Sequence, residues 1–170
     1  MVSVEGLDGR VAIVTGAARG IGRAIAEGLA RNGAMVAALD LAAPDLPGIV
    51  GYSCDVSDES AVDAVIGNVE QDLGIVSVAV LNAGIFHVVP FEETTTDLWD
   101  RTLAVNLTGA FLCARRVLPG MRKQRWGRVI MISSMAGKNG AIKAAAAYAA
   151  SRPGCPTWLD RSRVSTRRTA

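Results

Sequence analysis

Cysteine is sparse in this chain. Cys54, Cys113 and Cys155 are odd in number, far apart and without paired spacing, which argues against a disulfide framework and against a zinc site. Such usage fits a reducing cytoplasm. Histidine occurs once, and with no partner identifiable in sequence His87 reads as a loop or pocket residue rather than a catalyst or ligand. Charge of either sign is nearly balanced, at +2 overall, and much of the positive excess falls late, in Arg161, Arg163, Arg167 and Arg168. That is too little for a nucleic-acid surface, and Trp158 is the one aromatic in that stretch on which a base could stack. No apolar stretch reaches membrane-spanning length, and the first residues carry Glu5 and Asp8 where a leader would be basic. A soluble cytoplasmic chain is expected, with neither nucleic acid nor membrane as partner.

What is abundant is apolar sequence: of 170 residues, 50% are hydrophobic and 20% charged, enough for one domain with a substantial core. The pattern alternates. Arg10 to Thr15 is a short apolar run ending at a glycine-rich turn, after which Ile21, Ile25 and Leu29 recur at helical spacing. Gly33 stops that helix, Ala34 to Leu39 reads as a second strand, and Asp40 stands at its carboxyl end. Further strands are predicted near Ile49 to Ser53, at Val76 to Leu81 and at Arg128 to Ile132. Helices are predicted from about Ser60 to Asp72, from about Thr96 to Arg122, and around Tyr148. In the long helix the stripe Leu103, Leu107, Ala110, Phe111 and Ala114 reads as core. Strands alternating with crossover helices imply an α/β fold, a doubly wound parallel sheet in three layers of Rossmann-like type, incomplete after the fifth strand.

The turn after the first strand reads Thr15-Gly16-Ala17-Ala18-Arg19-Gly20-Ile21-Gly22. At a helix start, unsatisfied backbone N–H groups and the positive helix end suit a pyrophosphate, and glycine lets phosphate approach the backbone. A glycine-rich string alone is an ordinary tight turn. Here a strand precedes it, a helix follows and an acid ends the next strand, which together favour dinucleotide binding. Asp40 can accept hydrogen bonds from both adenosine ribose hydroxyls and would repel a 2′-phosphate, favouring NAD over NADP. Arg19 offsets part of that repulsion, and the plain alternative for Asp40 is a capping or turn acid.

The spacing T-G-x-x-x-G-I-G resembles the short-chain dehydrogenase/reductase family, classical type, and the resemblance extends over about residues 6 to 151. It implies an enzyme interconverting a secondary alcohol and a ketone by hydride transfer with NAD(H), a small-molecule substrate, and a homo-oligomer in which the long helix takes part. By the same resemblance Gly16, Arg19, Gly20, Ile21, Gly22 and Asp40 bind cofactor. Asp55-Val56 matches the adenine-contacting position, with a helix-capping aspartate as the alternative. Asn82-Ala83-Gly84 matches the end of the family's N-N-A-G motif, with Leu81 in place of its first asparagine, which in the family ties strands together. Asn106 matches the asparagine that perturbs its helix and holds a proton-relay water; otherwise a mid-helix asparagine reads as a solvent-facing polar residue.

Ser133-Ser134 ends the fifth strand, and Ser134 in its I-S-S-x-x-G string matches the serine that holds the substrate oxygen while Tyr148 transfers the proton. Free tyrosine titrates at about pH 10 and needs a neighbouring cation to ionise near neutrality. The family's cation is a lysine one helical turn after the tyrosine. Here that place is taken by Arg152. Pro153 and Pro156 then break the helix that Tyr148 should occupy, so residues 152–170 read as an aberrant, disordered tail after a dinucleotide-binding domain of residues 1–151. A one-base deletion after the codon for Ser151 accounts for this: restoring an adenine there returns the missing lysine and a helical apolar face. The alternatives are a natural short variant, and a nucleotide-binding fragment without turnover.

Overall fold

The computed structural model describes residues 6–139 and 145–152. Five apolar runs pair side by side into one sheet: β1 (Val11–Thr15), β2 (Met35–Asp40), β3 (Val50–Ser53), β4 (Val76–Leu81) and β5 (Arg128–Met131). Their order is β3-β2-β1-β4-β5, and every pairing is parallel. Helices α1 (Gly20–Arg31), α2 (Glu59–Asp72), α3 (Thr96–Leu103), α4 (Gly109–Lys123), α5 (Ala136–Asn139) and α6 (Ala146–Ser151) complete the described chain. This is the Rossmann-like α/β architecture expected from the alternation. The predicted tail falls outside the described residues beyond Arg152.

Central strands must be apolar on both sides, because helices cover both faces. Every residue of β1 and of β4 is buried. One face packs Ile13, Leu39 and Ala79 against Val62, Ile66 and Val69 of α2 and Leu112 and Val117 of α4. The other packs Val14, Val36 and Val80 against Ala26 of α1. Toward β5 the described residues leave that second face partly open: Ile130, level with Val80, is 47% exposed.

The predicted long helix is interrupted. Between α3 and α4, Ala104–Thr108 forms a π-helical stretch. Such a stretch holds an extra residue, so the helix face turns by about 100° on crossing it. The stripe read for one continuous helix therefore holds only in part: Ala114 is in the core and Ala110 packs against it, whereas Phe111 is exposed, and Val105, Leu112, Cys113, Val117 and Met121 supply most of the core.

Candidate cofactor and active site

Strand β1 leads to β2 on one side of the sheet, whereas β4 and β5 lie on its other side. The chain thus reverses direction across β1 and β4, and a crevice opens above their carboxyl ends, where open α/β sheets take ligands. A cleft of about 550 Å³ lies there. Eleven of the residues singled out in the sequence line it: Gly16, Arg19, Ile21, Asp40, Asp55, Val56, Asn82, Ala83, Gly84, Ser134 and Tyr148. Gly20, Gly22 and Asn106 do not line it.

The turn is shaped for close approach. Gly16 has φ +67, and a Cβ there would stand 2.9 Å from Ala83 Cα. A Cβ on Gly22 would lie 2.1 Å from Gly16 O, so only glycine allows α1 to start so close to the β1 turn. Gly20 also has a positive φ, of +59, but open space around it. Arg19, the residue before α1, provides no side-chain cap, and the first turn of α1 contains no acid. Among the described residues no side chain caps the start of α1, where Ile21 lines the cleft, which suits an anion. These features fit the diphosphate of a dinucleotide.

Asp40 is tied to the same turn. Its Oδ2 accepts the Ala18 N–H at 2.9 Å and its Oδ1 the Leu41 N–H at 2.8 Å. It is a turn acid, as the plain alternative has it, and it also lines the cleft. Asp55 does not cap α2. That task belongs to Asp58, which accepts the N–H groups of Ser60 and Ala61. Asp55 accepts Ser57 Oγ–H at 2.6 Å and Ser57 N–H at 2.9 Å, and pairs with Arg101 at 3.0 Å. These bonds, the Ser57 hydroxyl first, hold its carboxyl below the usual carboxylate range against a smaller opposing effect of burial.

Strand-to-strand ties replace the asparagine that Leu81 displaces. Leu81 is a core residue. Instead, buried Thr15 accepts the N–H groups of both Asn82 and Ala83, each at 3.0 Å, and the Asn82 amide donates to Thr15 O and Gly16 O. The ends of β1 and β4 are thereby bound together directly under the glycine turn.

Asn106, 1% exposed, stands within the π stretch. It accepts Ile85 N–H at 2.8 Å and donates to Ile85 O at 2.9 Å and to Ser151 Oγ at 3.1 Å. It is not solvent-facing; it fastens the segment after β4 to α6, the helix that bears Tyr148. Ser134 Oγ accepts the Ala136 N–H, whereas Ser133 Oγ donates to Arg152 O. The Phe86 ring meets Tyr148 edge-on, with centroids 4.8 Å apart. His87 is exposed in the segment after β4.

Three contributors were not legible in advance. Thr15 was read only as part of a motif. Arg101 reaches Asp55 across 46 positions of chain, and nothing local announces it. Arg152 turns into the cleft, buried to 6% exposure, although Pro153 follows it.

A parallel sheet with a glycine turn at β1, an acid closing β2 and a serine and tyrosine beyond β5 defines the class of dinucleotide-dependent α/β proteins. Comparison narrows this. The family model for short chain dehydrogenases matches residues 10–168, continuing past Ser151 into the stretch read as aberrant. The chain is 38% identical over 159 residues to D-threitol dehydrogenase of Mycolicibacterium smegmatis, covering 87% of this chain and 61% of that protein. It is 40% identical over 145 residues to 3-oxoacyl-(acyl-carrier-protein) reductase MabA of Mycobacterium tuberculosis, covering 85% and 58%. With acetoacetyl-CoA reductase of Shinella zoogloeoides it shares 41% over 152 residues, covering 85% and 63%. The chain belongs to the short-chain dehydrogenase family, and it spans about three fifths of the length of these relatives. Among the described residues no helix is long and apolar enough to cross a membrane.

Proposed function

We propose that the chain is the cofactor-binding part of an oxidoreductase that interconverts a secondary alcohol and a ketone with NAD(H). The observation that carries this is the single cleft shared by the glycine turn, Asp40, Ser134 and Tyr148. The relatives support the substrate class, since one is by name a dehydrogenase of a polyol and two are reductases of oxoacyl compounds.

In this reading the α1 N-terminus and the Gly16 backbone hold the diphosphate. Asp40 retains lone pairs beyond its two backbone partners and accepts the ribose hydroxyls, and its charge disfavours a 2′-phosphate. Asp55 and Val56 border the adenine end, and Asn82, Ala83 and Gly84 the middle. The nicotinamide supplies the hydride acceptor or donor. Ser134 Oγ spends an acceptor site on Ala136 N–H and keeps its proton for the substrate oxygen. Tyr148 takes or returns the hydroxyl proton at its phenol oxygen. Asn106 positions that tyrosine through Ser151, whose hydroxyl donates to Tyr148 O. A homo-oligomer in the cytoplasm, associating through the exposed Phe111 side of α4, fits the same family reading.

A second reading, nucleotide binding without turnover, is favoured by Arg152, whose guanidinium stands within the cleft and centres 5.1 Å from the Tyr148 ring. Titration of the chain with NAD+ and NADP+, followed by tryptophan fluorescence, tests cofactor choice. NAD+ should bind at least about tenfold more tightly, corresponding to ~1.4 kcal/mol of repulsion at Asp40. Tighter NADP+ would give the decisive role to Arg19.

A further inference from the structure

The cleft fits a dinucleotide at one end and not at the other. Above β2 and β1, the acid, the glycine turn and the α1 N-terminus form a cradle for an adenosine diphosphate. A dinucleotide lying across the switch point must place its second nucleoside above β4 and β5. There the Arg152 side chain is packed. Its Nη1 donates to Ile132 O at 2.7 Å, and Ser133 Oγ clasps its carbonyl at 3.0 Å. Its Nη2 lies so close over Gly84 that a Cβ there would stand 2.1 Å away. Its Nε is buried with no hydrogen-bond partner, and no carboxylate pairs with it among the described residues. A planar guanidinium bonded through Nη1 and packed over Gly84 does not swing aside as an ammonium on a flexible stem does.

Resting on the nucleotide site proposed above, we propose that Arg152 makes this cleft selective for adenine nucleotides that lack a nicotinamide, with ADP-ribose as the ligand it fits. The guanidinium occupies space that the nicotinamide nucleoside needs. ADP-ribose keeps the adenosine and diphosphate contacts and ends in a neutral sugar.

Calorimetric titration of the 170-residue chain with ADP, ADP-ribose and NAD+ tests this. ADP-ribose should bind at least roughly fivefold more tightly than NAD+, a difference of about 1 kcal/mol. Arg152→Gln, which removes the charge and the planar fork, should remove that preference and leave ADP affinity within about twofold. NAD+ binding as tightly as ADP-ribose to the unaltered chain overturns the inference while leaving the nucleotide site intact. Failure of all three, ADP included, overturns the site itself. If Arg152→Gln does not fold, the ligand order of the unaltered chain decides the matter.

Discussion

Thr15→Val isolates the tie between β1 and β4. The two side chains have nearly the same volume, so the change deletes one acceptor and leaves the packing of a buried position in place. That acceptor serves the N–H groups of Asn82 and Ala83, both part-buried and with no other partner in the tie. Leaving a buried donor unsatisfied costs about 1–3 kcal/mol, and partial access of water at this site puts each nearer the lower end. The extra methyl gained by valine offsets less than about 0.8 kcal/mol. The expected loss is about 1–3 kcal/mol, or a fall in Tm of roughly 3–12 °C for a chain of this length. Thr15→Ser keeps the hydroxyl and deletes one buried methyl, so it should cost only about 1 kcal/mol. Thermal melts by circular dichroism would rank the three, and amide exchange at Asn82 and Ala83 should quicken in the valine variant alone. If Thr15→Val melts no lower than Thr15→Ser, the hydroxyl is not what joins the strands.

The remaining predictions concern the turn and the buried thiols. Gly22→Ala should weaken NAD+ binding by at least about tenfold, because its Cβ meets Gly16 O at 2.1 Å; Gly20→Ala, in open space at φ +59, should cost only about 1–2 kcal/mol of stability. Parallel melts and titrations of the two variants separate a clash from backbone strain. Burial pushes the Cys54 thiol up to about 11 and the Cys113 thiol up to about 12, and burial with the Asp72 hydrogen bond raises Tyr52 to about 12. The folded state thus binds these protons more tightly than the unfolded chain. Stability should hold below about pH 8 and fall as pH rises from about 9 through 11–12, and Cys113→Ala should flatten that slope in alkaline melts.

Legibility followed locality. Strand β4 was readable to its ends because six consecutive residues are buried on both faces, and an unbroken apolar run between turns has few other readings. The glycine turn was readable because its constraint is steric and local. Asp55 could not be told from a helix cap, since Asp58 satisfies the same rule three positions on and only the folded chain chooses between them. The α3–α4 stripe was misread in part for a related reason: hydrophobic period assumes 3.6 residues per turn throughout. A π stretch breaks that assumption, and its one mark in the sequence is Asn106, which by resemblance perturbs its helix, rather than a proline or glycine. Arg152 stands out in the sequence as a departure from the family, but its inward course depends on Ile132 and Gly84, remote in sequence.

The π stretch works as a change of phase between two otherwise ordinary helices. In a uniform helix, the residue that turns Asn106 inward would also fix which side of every later turn meets the sheet. The surplus residue uncouples the two. The stretch itself aims one polar amide, that of Asn106, at Ile85 and Ser151, while α4 presents Leu112, Val117 and Met121 to the sheet on its own angular setting. A deletion of one residue within Ala104–Thr108 would restore a regular helix and force a choice between an oriented Asn106 and a packed α4. The irregularity is therefore a joint that lets one rod serve two alignments, and the sheet's packing and the clasp on the tyrosine-bearing helix can each change without dragging the other along.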